Sequence, residues 1–436
     1  MFNGILVLGK KIKLDNGKTE ILFGNFTFFV IIIFISYTMN NLNLIPSLLE
    51  LGISATQQGK FKKAKEIFLK IIDLNDNILL AYLNLINIDE GILEEKNYIK
   101  IRELCEQNHL NNSQKAIGNY LLSINEKRNK RFENEINFLE KAYLFLYKSK
   151  TKINYQSEIY FKNILPKFYN KKKYKIDKAT AKKNSHFNPL FIIGLPRSGS
   201  TLIETILSSS KDRIPTCGES NIFNSAILKQ IQKNIFSQQN LKVSNFEFKV
   251  DFNLLSEQVI KKYEDLSILK KHKNSFFIDK SLENFFYIDL ILDIFPNARF
   301  VHCQRNLFHI SIAVYQKFLT HLGWSYSYKD ILEYISNYLN VITFYKRKFP
   351  KKIFDLELEK LTLQNEKKSK EVYNFCDIKW DMNSLKFYKR KDLFLKTAST
   401  KQIREKIYNY DKDRFLPYKS LALKFSKEFP WLKKYI

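Results

Sequence analysis

Cysteine is scarce in this chain: Cys105, Cys217, Cys303 and Cys376 are the four present, far apart, with no CxxC pair and no Cys/His zinc spacing. A disulfide-stapled scaffold is thereby excluded, and a reducing, cytoplasmic compartment is the default expectation. Acidic residues are also in deficit. Forty-four Asp and Glu stand against 72 Lys and Arg, a formal charge of +28, so the expected partners are anionic. The lysines are spread along the chain and seldom interleave with Arg, and a coding bias toward Lys, Asn and Ile is the competing explanation. Long apolar runs are lacking with one exception, FTFFVIIIFISY at 26–37. Extended over 21–39 it reaches about 19 residues, the minimum for crossing a bilayer. No A-x-A cleavage pattern or clean basic n-region accompanies it, which argues against a secreted leader. Two readings stand: a membrane anchor within a 1–44 leader, or a true start at Met39.

What remains has the composition of a folded chain: 45% hydrophobic and 27% charged residues in 436, room for two or three domains. From 45 to 169 the pattern is helical. Leu48, Leu51, Gly52 and Ala55, then Ala64, Phe68 and Ile71, keep a 3.6-residue period broken at Gln57-Gln58-Gly59, which predicts a helix hairpin. Its small and aromatic positions match a tetratricopeptide unit of about 34 residues. A second unit is in register at Tyr82 and Leu85, and a third at Phe132, Leu139 and Ala142. Either the array holds a peptide on a concave face, or its apolar stripe covers the next domain. Residues 170–187, polar and basic, mark a linker. They lack the aromatics of a base-stacking platform, so no nucleic-acid partner is expected.

At 189–193 the apolar run PLFII predicts a buried strand. It flows into Gly194-Leu195-Pro196-Arg197-Ser198-Gly199-Ser200-Thr201 and then a helical stretch, LIETILSSS. Strand, glycine loop and helix in this order form an anion cradle, with backbone amides and the hydroxyls of Ser198, Ser200 and Thr201 aimed at a phosphate. The spacing approaches GxxxxGK[ST], but Ser200 stands where a triphosphatase needs lysine, and the cation is Arg197 instead.

PLFIIGLPRSGSTLIE resembles the 5′-phosphosulfate loop of sulfotransferases, most closely the bacterial group with N-terminal tetratricopeptide repeats that is similar to protein-tyrosine sulfotransferases. Other segments follow in the family's order. FPNARFVHCQRNLFHISIAVY resembles the second phosphate strand, implying that Arg305 binds the 3′-phosphate. It departs from the family's RDP at Asn306-Leu307, and the serine expected eight residues after the arginine is Ala313. Ser311, half a turn earlier, is the expected substitute. Phe276-Phe277-Ile278 is a strand running into Asp279-Lys280, with Asn284 beyond, and the resemblance gives Lys280 the role of stabilising the sulfuryl group. LENFFYIDLILDIFPNA reads as one amphipathic helix. LELEKL, with Glu359, resembles a late strand and turn. LKTASTKQIREKIYNYDKDRFLPYKS resembles the closing segment, implying that Ser399 and a lid from Lys401 to Tyr408 cover the nucleotide.

The resemblance, covering 188–436, implies an α/β core with a mainly parallel sheet behind an all-α domain, and 3′-phosphoadenylyl sulfate as co-substrate with no metal. Sulfuryl transfer needs an in-line hydroxyl, a base, and cations for the charge on the leaving phosphate. Arg197 and Lys280 are the expected cations. Glu219, in Thr216-Cys217-Gly218-Glu219-Ser220, is the expected base, with capping of the following helix as its bland alternative and His302 and His309 as lower-ranked bases. The acceptor is expected to be a protein or peptide, acidic by charge complementarity, or a glycan. A non-catalytic repeat scaffold with a decayed nucleotide site is the alternative from another class.

Overall fold

The computed structural model describes residues 11–13, 19–21, 44–107, 109–151, 157–165, 169, 184–236, 250–269, 275–390 and 404–436. The anchor candidate after Ile21, most of the basic linker, Ser399 and Lys401 lie outside these residues. A short antiparallel pair, β1 (Lys11–Lys13) and β2 (Thr19–Ile21), comes first. No helix among the described residues is long and apolar enough to cross a membrane.

Helices α1 (44–57), α2 (Phe61–Leu74), α3 (Leu79–Ile88), α4 (Glu95–Glu106), α5 (Asn112–Arg128) and α6 (Phe132–Ser149) follow. The break at Gln57-Gln58-Gly59 falls between α1 and α2, and Ala55, Ala64, Phe68 and Ile71 are buried there. Most of the periodic apolar face is thus what the hairpin hides, but Leu51 is 48% exposed and lies off it. Helices α3 and α5 begin at Leu79 and Asn112.

Four parallel strands form the second layer: β3 (Phe187–Gly194), β4 (Ser275–Asp279), β5 (Arg299–Gln304) and β6 (Ile353–Glu357), in spatial order β4-β3-β5-β6. Their residues alternate between two apolar faces. Phe191, Ile193, Phe277 and Phe300 join the core shared with the N-terminal helices. Leu190, Ile192, Ile278, Val301 and Leu356 face a second core with α7 (Ser200–Ser208) and, from the C-terminal part, α14 (Asn365–Cys376). Burial on both faces explains the unbroken apolar run of β3. The other helices of this layer are α8 (Ile222–Phe236), α9 (Phe252–Asp265), α10 (Ile288–Ile294), α11 (Leu307–Tyr315), α12 (Tyr328–Lys348), α13 (Leu358–Leu363) and α15 (Lys419–Lys424).

All four strands end on one edge, at Gly194, Asp279, Gln304 and Glu357. The chain passes from β3 to β4 on one side and then to β5 on the other, so the switch point of the sheet lies at the end of β3, and the crevice outside such strand ends is where α/β sheets bind ligands.

Two local expectations are corrected. LENFFYIDLILDIFPNA begins as a 3-10 turn, Leu282–Tyr287, before α10. Asp279 tightens this turn by accepting from the Ser281 amide at 2.8 Å and the Asn284 side chain at 3.2 Å. Within LELEKL the strand stops at Glu357, and Glu359 lies in the first turn of α13.

Candidate active site at the strand ends

The loop after β3 is built on two glycines that cannot be exchanged. Gly194 runs so close to β5 that a Cβ would lie 2.5 Å from the Cys303 carbonyl oxygen. Gly199, the residue before α7, is left-handed (φ +89°), and a Cβ there would meet the Leu358 side chain at 2.6 Å. Between them Arg197 is itself left-handed, at φ +70°. Ser198 is buried and donates to the Leu195 carbonyl at 2.7 Å, closing the loop. Ser200 and Thr201 are buried in the first turn of α7. The expected order of strand, glycine loop and helix is therefore present, with α7 starting directly after the loop.

Arg305 leaves the end of β5 beside this loop. Its Nη1 donates to the Arg197 carbonyl at 2.8 Å and its Nε to the Tyr410 hydroxyl at 2.9 Å. The guanidinium lies 4.8 Å from the Tyr410 ring centre and 5.0 Å from that of Phe415. Asn306 caps α11 through the His309 amide, its own amide donates to Glu359 at 3.0 Å, and its side chain donates to the Tyr435 carbonyl. The departure from RDP thus keeps a capping side chain in place. His309 Nδ1 pairs with the Tyr410 hydroxyl at 2.5 Å and its ring stacks on Phe415.

Cations crowd this end. Burial, then the neighbouring Arg305, push Arg197 down to about 10. Burial and Arg197 push Lys317 down to about 8, against the pull of Glu90. Burial, Arg305 and Arg414 hold His309 near about 4, so it is neutral at pH 7. Lys317, beyond α11, reaches Asn87 of α3 at 3.5 Å, and Glu90, past the end of α3, pairs with Lys127 of α5 at 2.9 Å. The first helical layer thus borders the crevice.

The other end is organised around Lys280. Its side chain is 2% exposed, with Nζ 2.6 Å from Glu219 Oε1 and 3.4 Å from Glu204 Oε2. Burial alone would lower this ammonium, but the two carboxylates more than offset it and raise its pKa. The Lys280 amide donates to the Gly218 carbonyl at 3.0 Å, and Thr216 bridges to Ile278 in parallel fashion, so the turn carrying Glu219 is stitched to β4. Glu219 contacts the lysine rather than capping α8, which starts at Ile222. Asp279 is fully buried and supports the turn through Tyr263, whose hydroxyl donates at 2.7 Å.

The structure therefore brings Arg197, Ser198, Gly199, Ser200, Thr201, Arg305, Lys280 and Glu219 to one crevice. Ser311 is the exception. It is fully buried, its hydroxyl donates to the Phe308 carbonyl at 2.8 Å and pairs with Tyr328 at 2.9 Å. Facing the core, it does not take the missing serine's place, and Ala313 is buried as well. Tyr408 is 53% exposed and lies within electrostatic reach of Arg197. His302 is buried in β5 between Asp355 and Tyr338.

Several members were not found from sequence: Glu204, Tyr410, Phe415, Lys317, and His321, which burial lowers against the pull of the Glu219 charge. A carboxylate inside the apolar stretch LIETIL was the available signal for Glu204. Among the described residues no group of three or more His, Cys, Asp or Glu is arranged to hold a metal.

Comparison with known proteins bears on this crevice directly. Residues 189–382 match the sulfotransferase family. The match begins at β3 and takes in the loop, Glu219, Lys280 and Arg305. An uncharacterized protein of Aquifex aeolicus (strain VF5) is 29% identical over 238 residues, 53% of this chain and 30% of that protein. The chain thus spans about a third of that relative's length. Among solved structures, a sulfotransferase from Mycobacterium tuberculosis H37Rv aligns at 12% identity and a TM-score of 0.30, covering 68% of this chain and 93% of the other. The sulfotransferase domain of the Synechococcus PCC 7002 olefin synthase aligns at 14% identity and a TM-score of 0.36, covering 58% and 98%.

Proposed function

We propose that the protein transfers a sulfuryl group from 3′-phosphoadenylyl sulfate to a hydroxyl acceptor. The observation that carries this reading is the pairing, in one crevice, of a phosphate cradle flanked by Arg305 with a buried lysine bonded to a carboxylate. The family match over the same residues supports it. The residues fit the co-substrate: the loop amides, Ser200, Thr201 and Arg197 suit the 5′-phosphosulfate while Ser198 closes the loop from within, and Arg305 suits the 3′-phosphate through its planar fork. Lys317, depressed by burial and then by the neighbouring Arg197, adds a further cation beside the loop.

In the reaction the acceptor oxygen bonds to sulfur while the bond from sulfur to the 5′-phosphate oxygen breaks. Glu219 takes the hydroxyl proton. Lys280 is held protonated by Glu204 and sits where the leaving phosphate gathers charge. The products are adenosine 3′,5′-bisphosphate and the sulfated acceptor.

For the acceptor we favour a tyrosine-type hydroxyl on an acidic peptide, supported by the +28 charge and by helix hairpins with tetratricopeptide-like spacing beside the crevice. A glycan hydroxyl is the competing acceptor. A nucleotide-binding scaffold without turnover is the second reading, favoured by buried Ser311 and Ala313, which leave Arg305 without a serine partner. Incubating purified protein with sulfur-labelled co-substrate and a panel of acidic Tyr peptides and glycans tests all three. Label on a peptide, lost in Arg197→Ala, is the expected result. Label on glycans alone overturns the peptide assignment, and binding without transfer to any acceptor overturns the enzyme.

A further inference from the structure

Glu135 of α6 is 1% exposed, yet it belongs to the first helical layer and touches nothing in the crevice. It accepts two hydrogen bonds from distant parts of the chain. Gln316 Nε2 donates to Oε1 at 2.7 Å, and the Tyr418 hydroxyl donates to Oε2 at 2.6 Å. Gln316 closes the far end of α11, the helix that begins two residues after Arg305. Tyr418 closes the 3-10 turn Asp413–Tyr418, which carries Phe415 under the Arg305 guanidinium and follows Tyr410. One carboxylate therefore ties together the helix that starts beside the arginine and the aromatic wall on which it rests.

Neighbouring contacts act in the same sense. The Tyr143 hydroxyl donates to the Tyr315 carbonyl at 2.8 Å, the two rings stack at 5.1 Å, and Tyr120 stacks on Phe318 at 4.6 Å. Apolar packing alone would join the layers without direction. A buried carboxylate costs desolvation that two neutral donors only partly offset, and replacing such groups by apolar ones is often stabilising. What it supplies is fixed orientation, because each donor must meet its own oxygen.

We infer that Glu135 is a positioning residue for Arg305, and that the N-terminal helices are through it a working part of the nucleotide site. The nucleotide half of this inference rests on the proposed sulfotransferase reading. The geometry half does not.

The test uses the full chain with Glu135→Gln, Tyr418→Phe and, as a control at a different junction between the layers, Tyr160→Phe, whose hydroxyl meets Tyr287 at 2.7 Å. Thermal melts fix a temperature at which every variant is folded. At that temperature NMR titration follows the His309 ring, which stacks on Phe415 and bonds to Tyr410, and calorimetry follows adenosine 3′,5′-bisphosphate. With Glu135→Gln and Tyr418→Phe, His309 should titrate closer to its ordinary range and nucleotide affinity should fall about tenfold. Tyr160→Phe should lower the melting temperature and move neither. In an Arg305→Ala background, Glu135→Gln should cost no further affinity. An unchanged His309 titration in both variants overturns the inference. If the unaltered protein binds no nucleotide, the sulfotransferase reading falls and the His309 titration still decides the positioning claim.

Discussion

The two ends of the crevice solve opposite electrostatic problems. At the Lys280 end a buried cation is compensated internally, by Glu204 and Glu219, and its proton is held more tightly than usual. At the Arg305 end Arg197, Arg305, Arg414 and Lys317 lie within electrostatic reach of one another, with Glu90 and Glu359 as carboxylates nearby, and burial followed by the like charges pushes Arg197 and Lys317 down. A compensated group is ready for chemistry without a ligand. An uncompensated cluster is improved by binding an anion. On the proposed reading, the contrast would separate a catalytic end from an affinity end within one sheet edge.

Replacing Lys280 should break the first half of this contrast most severely. Lys280→Met leaves Glu204 buried without its counter-charge, and breaking such a pair costs about 3–5 kcal/mol. A chemical melt should register that loss, and the transfer rate should fall on the order of a thousandfold. Lys280→Met/Glu204→Gln sharpens the point: stability should return in the melt while the rate stays low. Recovery of the rate as well would refute the catalytic assignment.

Arg305→Ala should act on the other half, weakening adenosine 3′,5′-bisphosphate on the order of a hundredfold in calorimetry through loss of charge-assisted bonds. Glu219→Gln should instead leave that affinity within about threefold and abolish most transfer. Equal losses of affinity in both variants would erase the distinction between the ends.

The smallest expected effect is on pH. A lysine whose folded pKa is lowered to about 8 binds its proton more weakly than in the unfolded chain. The unfolded state then holds more protons between about 8 and the ordinary lysine range, so the ligand-free protein gains stability as pH rises through that window. His309, lowered to about 4, acts in the same direction between there and its ordinary range, and stability is lost as pH falls. The cysteines, whose pKa values burial raises, act in the opposite direction above about pH 9, so the readout is the difference between parallel melts of the unaltered protein and Lys317→Met, which should grow in favour of the unaltered protein as pH rises through that window. A difference that stays constant across the window would contradict the weakened hold of Lys317 on its proton.

Local order was readable from sequence wherever one segment carries a whole device. The cradle is strand, loop and helix within 187–208, and Lys280 and Arg305 each follow directly on an apolar strand. Glu219 was readable through its turn. Long-range partners were not. Tyr410 and Phe415 lie over a hundred residues from Arg305 in sequence and reach it only because the C-terminal part folds back. Ser311 illustrates the opposite failure: the hydroxyl is near the right position along α11, but 3.6-residue periodicity turns it to the core. LENFFY looked helical by apolar period, while the Asp279 side chain winds it more tightly.

The left-handed backbone of Arg197 carries a last consequence. A residue with a Cβ pays about 1–2 kcal/mol to sit there, a penalty glycine escapes. Random substitution followed by selection for heat tolerance alone should therefore enrich glycine at 197, and the survivors would be sturdy proteins with an inert crevice. On the proposed reading, the chain tolerates a permanently uncomfortable joint because that joint carries the guanidinium that meets the co-substrate.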